Sequence, residues 1–215
     1  MRVVILIGGK GTRLRPLTET VKKAYLPLGN KRVVDHILDR IPKDFEVIMK
    51  EDDTGAISAL ANALTGGIPI MIVCGDNYFT DSLNTFYKAY SWERSQTINP
   101  SLSMIGVYDV GSLELAKNYG VVEVDGEGII KSFEEKPEKP KSTLVSTGIY
   151  IFPPVLFPKI KAMAKEKPDG NLGLIIKMIY PRWPVQTYNM KGFWIDMGTH
   201  ATYKMAQEYV EGIKK

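Results

Sequence analysis

Apolar positions along the chain come in two kinds of run. Residues 3–7 (Val-Val-Ile-Leu-Ile) and 70–74 (Ile-Met-Ile-Val-Cys) are continuously apolar. That is the pattern of strands covered on both faces. Residues 45–49, 102–107, 144–152 and 185–190 read as further strands. Between them the spacing turns helical. Val33, Val34, Ile37, Leu38 and Ile41 share one face, which Pro42 ends. Residues 54–64 are rich in Ala and Leu, with Asp53 or Thr54 as N-cap and Gly66-Gly67 as the stop. Leu83, Phe86, Tyr87 and Tyr90 mark the inner face of a helix over 81–92. Shorter helical stretches cover 112–118, 154–166, 172–180 and 201–213. Residues 119–125 and 128–133 flank Gly126-Glu127 as a hairpin. Strands alternating with helices predict an α/β fold.

Composition narrows this reading. A length of 215 residues suits a single domain, 1–215, with a sizeable core. The net charge of +4 is mild, and Lys and Arg are scattered, so nucleic acid is not implied. The one cysteine, Cys74, rules out an internal disulfide and suits a reducing cytoplasm. It reads as a small buried hydrophobe. No apolar run reaches the length of a signal-peptide core or a membrane span. The chain reads as cytoplasmic.

Residues 8–13 (Gly-Gly-Lys-Gly-Thr-Arg) follow the first strand. Three glycines in four positions let a ligand approach bare N–H groups, and successive N–H groups in such a turn form a concave anion site. Arg13 adds a fork matched to phosphate oxygens. A P-loop is excluded, because Gly9-Lys10 is followed by Gly11 and not by Ser or Thr. The dinucleotide fingerprint is excluded, because Leu14 stands where its third glycine belongs. Asp76 follows the strand at 70–74, on the rim where this loop should open. Alone, Gly75-Asp76-Asn77 reads as well as a turn, and Glu134-Glu135-Lys136-Pro137 as a solvated loop.

The run G-G-K-G-T-R-L-R-P-L-T, followed by Lys23-Ala24-Tyr25-Leu26-Pro27, resembles the signature of the sugar-1-phosphate nucleotidyltransferases. Four further stretches match in family order: G-D-N-Y-F at 75–79, Y-G-V-V with E-E-K-P at 119–137, T-G-I-Y at 147–150 and W-I-D-M-G-T at 194–199. The resemblance implies a Rossmann-like three-layer α/β/α sandwich, with a mixed, mainly parallel sheet and a hairpin over the sugar subsite. It implies a nucleoside triphosphate and a sugar 1-phosphate as substrates, Mg²⁺ as cofactor, and is compatible with a homo-oligomer. Hexose 1-phosphate with dTTP or UTP is the leading pair, with mannose 1-phosphate guanylyl transfer as runner-up.

By the same resemblance Arg13 and Lys23 are catalytic, and Asp76 and Asp196 hold the metal. Gly8, Gly9, Gly11, Thr12, Arg13 and Gly55 bind the nucleotide. Gly120, Glu135, Lys136, Thr147 and Gly148 bind the sugar phosphate. Ile7 and Lys22 depart from the family's Ala and Pro, and residues 51–56 are shorter and more acidic than the family's base-reading segment. Lys22 reads as a surface residue, and the two histidines, His36 and His200, as structural and as bordering the site. No hexapeptide repeat follows, so a catalytic domain without a fused acyltransferase is expected. A metal-dependent glycosyltransferase would carry Asp-x-Asp, which is missing. A non-catalytic relative should have lost Lys23, Arg13 or an aspartate, and all are present.

Overall fold

The computed structural model describes residues 1–9, 11–51 and 54–212. In chain order the strands are β1 (Arg2–Ile7), β2 (Pro27–Leu28), β3 (Lys31–Arg32), β4 (Glu46–Glu51), β5 (Ile70–Cys74), β6 (Asn77–Phe79), β7 (Ser103–Asp109), β8 (Gly120–Val124), β9 (Ile130–Glu135), β10 (Leu144–Phe152), β11 (Val185–Asn189) and β12 (Trp194–Asp196). The helices are α1 (Val33–Leu38), α2 (Ala56–Ala63), α3 (Leu83–Ser95), α4 (Leu113–Ala116), α5 (Phe157–Glu166), α6 (Gly173–Ile179) and α7 (His200–Val210).

The main sheet is ordered β11-β7-β10-β5-β1-β4. β1 pairs in parallel with β4 and β5, and β7 with β11. β10 runs antiparallel to both β5 and β7, so the sheet is mixed. The β8–β9 hairpin joins it through β10. Alternation along the strands sorts side chains into two cores. Val4 and Leu6 of β1, Ile72 of β5 and Phe152 of β10 face helices α2, α5 and α6. Val3, Ile5, Met71, Val73 and Ile151 face α1 and α3 on the other side. Successive strand side chains point to opposite faces. A strand that must serve two apolar layers therefore carries no polar position, which is why residues 3–7 and 70–74 read as unbroken runs. Among the described residues no helix is long and apolar enough to cross a membrane.

The expected elements are present with shifted ends. The β4 strand runs on to Glu51. Helix α2 starts at Ala56 with Gly55 as N-cap and no side-chain cap, so Thr54 does not cap it. Asp53, the other expected cap, lies outside the described residues, as do Lys10, Asp52 and Ile213. Strands β6 and β12 were not expected. Each is three residues long, too short for a period to show.

Gly55 matters to the fold. Its φ is +130°, and a Cβ there would lie 2.3 Å from the Pro168 carbonyl oxygen and 2.5 Å from the Asp169 Cα. Helix α2 is thereby seated against the α5–α6 loop, and Gly170 O accepts from Ile57 N at 3.2 Å. Gly55→Ala should cost about 2–4 kcal/mol, since backbone must move and φ is strained. Urea denaturation at fixed pH checks this; a loss under about 1 kcal/mol would contradict the packing described.

Candidate active site

The carboxyl ends of β1 and β5 lie side by side, and the chain leaves each in a glycine turn. Gly75 N donates to Leu6 O at 2.9 Å, and a Cβ on Gly75 would sit 2.9 Å from that oxygen. The two turns therefore touch. The glycine loop continues through Gly11, at φ +58°, into the single helical turn Thr12–Leu14. Thr18 Oγ1 donates to Gly11 O at 2.7 Å and closes the loop back on itself. Gly8, Gly9, Thr12 and Arg13 are exposed along it.

A third apolar cluster holds four motifs together. Leu14 of the glycine loop, Leu26 of the lysine segment, Tyr78 of β6, and Ile195 and Met197 around β12 pack with Tyr203 and Ala206 of α7. β6 and β12 pair antiparallel, with Asn77 opposite Asp196, and Met197 N donates to Asp76 O at 2.9 Å. The loops beyond them are tied as well. Asp81 accepts from Lys191 N and Gly192 N at 3.0 and 2.7 Å, and Thr80 Oγ1 accepts from Phe193 N at 2.9 Å. Asp76, in the turn just before β6, and Asp196 at the end of β12, 120 positions apart in the sequence, become neighbours.

Lys23 sits in a helical turn, Lys23–Tyr25, and its Nζ donates to Asp76 Oδ2 at 3.0 Å. A Cβ on Gly198 would come within 3.3 Å of Asp196 Oδ2 and 3.4 Å of Arg13 Nη2, so carboxylate and guanidinium flank the same glycine. Burial pushes the Asp196 carboxyl up to about 7, the charge of Asp76 pushes it the same way, and Lys23, Arg13 and Lys136 oppose both. Two acids that resist joint ionisation are the donor set a divalent cation relieves. Among the described residues no group of three or more His, Cys, Asp and Glu side chains is assembled for a metal. Two carboxylates suit an ion that takes its other oxygens from phosphate and water.

Beside these charges opens a cavity of about 230 Å³. It is lined by Asp76 and Asp196 and by all five expected sugar-phosphate residues, Gly120, Glu135, Lys136, Thr147 and Gly148. The cavity wall shields the Glu135 carboxyl and raises its pKa, which Lys136 partly offsets. A residue before proline ordinarily stays extended, and Lys136 precedes Pro137. Lys136 instead has φ +46°, a left-handed turn that follows the end of β9, with its N–H donating to Tyr119 O at 2.9 Å. The left-handed step costs about 1–2 kcal/mol in a residue with a Cβ. It reverses the alternation of an extended chain and lets both side chains line one cavity. Thr147 is buried with its hydroxyl donating to Gly106 O at 2.8 Å, and its carbonyl accepts from Trp194 Nε1 at 3.2 Å. The register of β10 shifts between Ser146 and Tyr150, and Gly148 at φ +76° packs against Cys74 and Asn77.

The glycine loop faces smaller clefts. One of about 180 Å³ is lined by Gly9, Thr18 to Lys22, and Lys23, and a narrower one by Gly8, Lys22, Lys23 and Asp76. Lys23 and Asp76 thus join the loop side to the cavity side. Lys22 is more than the surface residue expected. It is half-buried, lines both clefts and lies 3.6 Å from the Glu51 carboxylate. Gly55 lies against Pro168 and Asp169, while the next residue, Ala56, lines the cavity. His36 is structural, with Nε2 at 2.8 Å from Leu28 O and its ring edge-on to Tyr78. His200 Nε2 lies 2.8 Å from Arg15 O. Cys74 edges the cavity half-buried, its thiol held well above the usual range by burial and by the two aspartates.

Sequence reasoning missed the wall opposite the hairpin. Asn171, Leu172 and Gly173, at the start of α6, line the cavity. A Cβ on Gly173 would fall 2.5 Å from Glu135 Oε2. The only signal was the Gly-Asn-Leu-Gly run at 170–173, which reads as an ordinary passage from a loop into the helix over 172–180.

The Asp196 shift has a definite sign. A carboxyl raised in the folded state binds more protons folded than unfolded, so its contribution to stability falls as pH rises from about 4 to 7. Without divalent metal, the wild type should lose stability relative to Asp196→Asn between pH 5 and pH 8. Thermal midpoints in chelator at the two pH values measure it; a wild-type midpoint that holds steady or rises relative to that of Asp196→Asn as pH rises would contradict the burial of Asp196 beside Asp76.

The chain is similar to known proteins along most of its length. Bifunctional protein GlmU of Methanocaldococcus jannaschii is 28% identical over 98% of this chain and 54% of its own. The UTP–glucose-1-phosphate uridylyltransferase of Synechocystis is 27% identical over 96% of this chain and 62% of its own. The chain spans about half the length of GlmU and less than two thirds of the uridylyltransferase. Among solved structures, UDP-glucose pyrophosphorylase complexed with UDP-glucose superposes with a TM-score of 0.76 at 19% identity, over 99% of both chains. A Bacillus anthracis structure with a sucrose, provisionally described as a glucose-1-phosphate thymidylyltransferase, gives 0.83 at 22% identity, over 100% of this chain and 97% of its own. Both share the fold. The Nucleotidyl transferase family model matches residues 2–53 and 43–212, and the chain belongs to that family.

Proposed function

We propose that the chain makes a nucleoside diphosphate sugar and pyrophosphate from a nucleoside triphosphate and a sugar 1-phosphate. A hexose 1-phosphate such as glucose 1-phosphate, with dTTP or UTP, is the expected pair. One observation carries the reading: the Lys23–Asp76 pair, with Asp196 beside it, stands between a glycine loop and a cavity holding Glu135 and Lys136. An anionic donor on the loop and a sugar phosphate in the cavity would meet at those charges.

An oxygen of the sugar phosphate bonds to the α-phosphorus of the triphosphate. The bond from that phosphorus to the bridging oxygen breaks, and its electron pair leaves on pyrophosphate. The attacking oxygen is already ionised, so no general base is required, which agrees with two histidines both placed in structural contacts. Positioning and charge carry the catalysis. Lys23 neutralises charge at the α-phosphate, Arg13 holds the departing pyrophosphate, and Gly8, Gly9, Gly11 and Thr12 cradle the triphosphate. Glu135 accepts from sugar hydroxyls, Lys136 meets the sugar phosphate, and Gly120, Thr147 and Gly148 shape the floor. Asp76 and Asp196 would hold Mg²⁺, which supplies Lewis-acid relief of the repulsion between the two phosphate groups.

A pyrophosphate-release screen of every nucleoside triphosphate against glucose, mannose, galactose and N-acetylglucosamine 1-phosphates tests the function. Release that needs both substrates is expected; triphosphate hydrolysis indifferent to the sugar, or no release with any pair, would overturn it. Lys23→Ala should lower kcat by ~10²–10³. Lys22→Ala should cost less, though not nothing given its place in both clefts; the reverse ranking would shift the catalytic role to Lys22. Glu135→Gln should raise KM for the sugar phosphate and blunt choice among epimers. A rise in the triphosphate KM instead would place Glu135 in the nucleotide half.

A further inference from the structure

A second concave site lies away from the candidate active site. It is a groove of about 490 Å³ along α5 and α6, walled by Met163 and Met178 and lined by Lys159, Lys167, Lys177, Arg182 and Trp183. It shares no lining residue with the cavity beside Asp196. Glu166 is the sole carboxylate in its lining, against four cations. Among the described residues none of the four has a carboxylate within ion-pair distance. Lys159 Nζ lies 4.6 Å over the centre of the Trp183 ring, so its charge rests on a π face and not on an acid.

Elsewhere some surface cations are paired, as Arg2 with Glu46, Lys31 with Asp39 and Lys117 with Glu114, and others among the described residues stand alone, so what sets this groove apart is four of them gathered around one concavity. Here four cations border one groove with no partner among them, at a cost in mutual repulsion that a bound anion would remove. The walls add a second demand. Two thioethers and a half-buried indole suit a flat apolar ring, not a bare ion. The volume is that of an ordinary small-molecule pocket.

We propose that this groove binds an anion carrying an aromatic ring, of the size and class of a nucleotide. The ring lies against Trp183 between the methionines, and the phosphates reach Lys167, Lys177 and Arg182. Helix α6 joins this groove to the cavity: Leu174, Lys177 and Met178 line the groove, and Gly173 abuts Glu135.

The test is ADP binding to the full chain, by calorimetry in ~0.1 M salt, where weak surface attraction is screened. Lys23→Ala weakens any binding at the glycine loop and leaves the groove intact, so it separates this site from the proposed active site. The expected result is one ADP equivalent retained in Lys23→Ala and weakened at least about tenfold by Lys177→Glu/Arg182→Glu. Lys161→Glu/Lys165→Glu, the same charge change on α5 outside the groove, should leave it unchanged. Trp183→Leu should weaken ADP more than it weakens inorganic pyrophosphate. The proposal falls if Lys23→Ala binds no ADP, if Lys177→Glu/Arg182→Glu leaves that equivalent intact, if the outside pair weakens it equally, or if Trp183→Leu affects ADP and pyrophosphate alike.

Discussion

Two carboxylates and one ammonium set the conditions the rest of the site must meet. Asp76, in the turn before β6, stands beside Asp196 of β12, Lys23 donates to the first at 3.0 Å, and burial with like charge raises the pKa of the second carboxyl to about 7. Such a group is unfavourable in a folded chain unless the surroundings impose it. The imposition comes from apolar packing. Leu14, Leu26, Tyr78, Ile195 and Met197 share one cluster, and each stands within three positions of a charged or loop residue of the site. Apolar burial of these side chains offsets the cost of bringing the charges together. The α7 helix, far along the chain, is part of the same arrangement through Tyr203 and Ala206.

The sheet does the coarser positioning. Parallel β1 and β5 bring two loops to one rim, as open α/β sheets do. The antiparallel β10 then lays Thr147 and Gly148 beside Cys74 and Asn77, and its register shift opens the floor there. The β8–β9 hairpin, carried on β10, ends in the left-handed Lys136, which turns two consecutive side chains into one cavity. Each departure from regular strand geometry on this side falls where a ligand would lie.

The layers were legible from residues, because unbroken runs at 3–7 and 70–74 and helical spacing at 33–41 and 83–90 follow directly from burial on two faces. The convergence of the site was not. Asp76 alone read equally as a turn residue, and 134–137 as a solvated loop; only the family resemblance set them apart. Strands β6 and β12, which join Asp76 to Asp196, are too short to carry a period. The conformation of Lys136 was not legible because the extended preference of a residue before proline is local, whereas its N–H is held by Tyr119 O across the hairpin. The wall from Asn171 to Gly173 is set by tertiary packing against Glu135, which the Gly-Asn-Leu-Gly run alone does not reveal.

The account stands on Asp76 and Asp196 addressing a single cation site, and Mn²⁺ titration followed by electron paramagnetic resonance addresses that directly, with no substrate needed. One Mn²⁺ per chain is predicted at pH 8, weakened at least about tenfold in Asp76→Asn and equally in Asp196→Asn, because one ion shared by two ligands is lost with either. Binding that survives the removal of one aspartate and vanishes with the other would contradict the shared site.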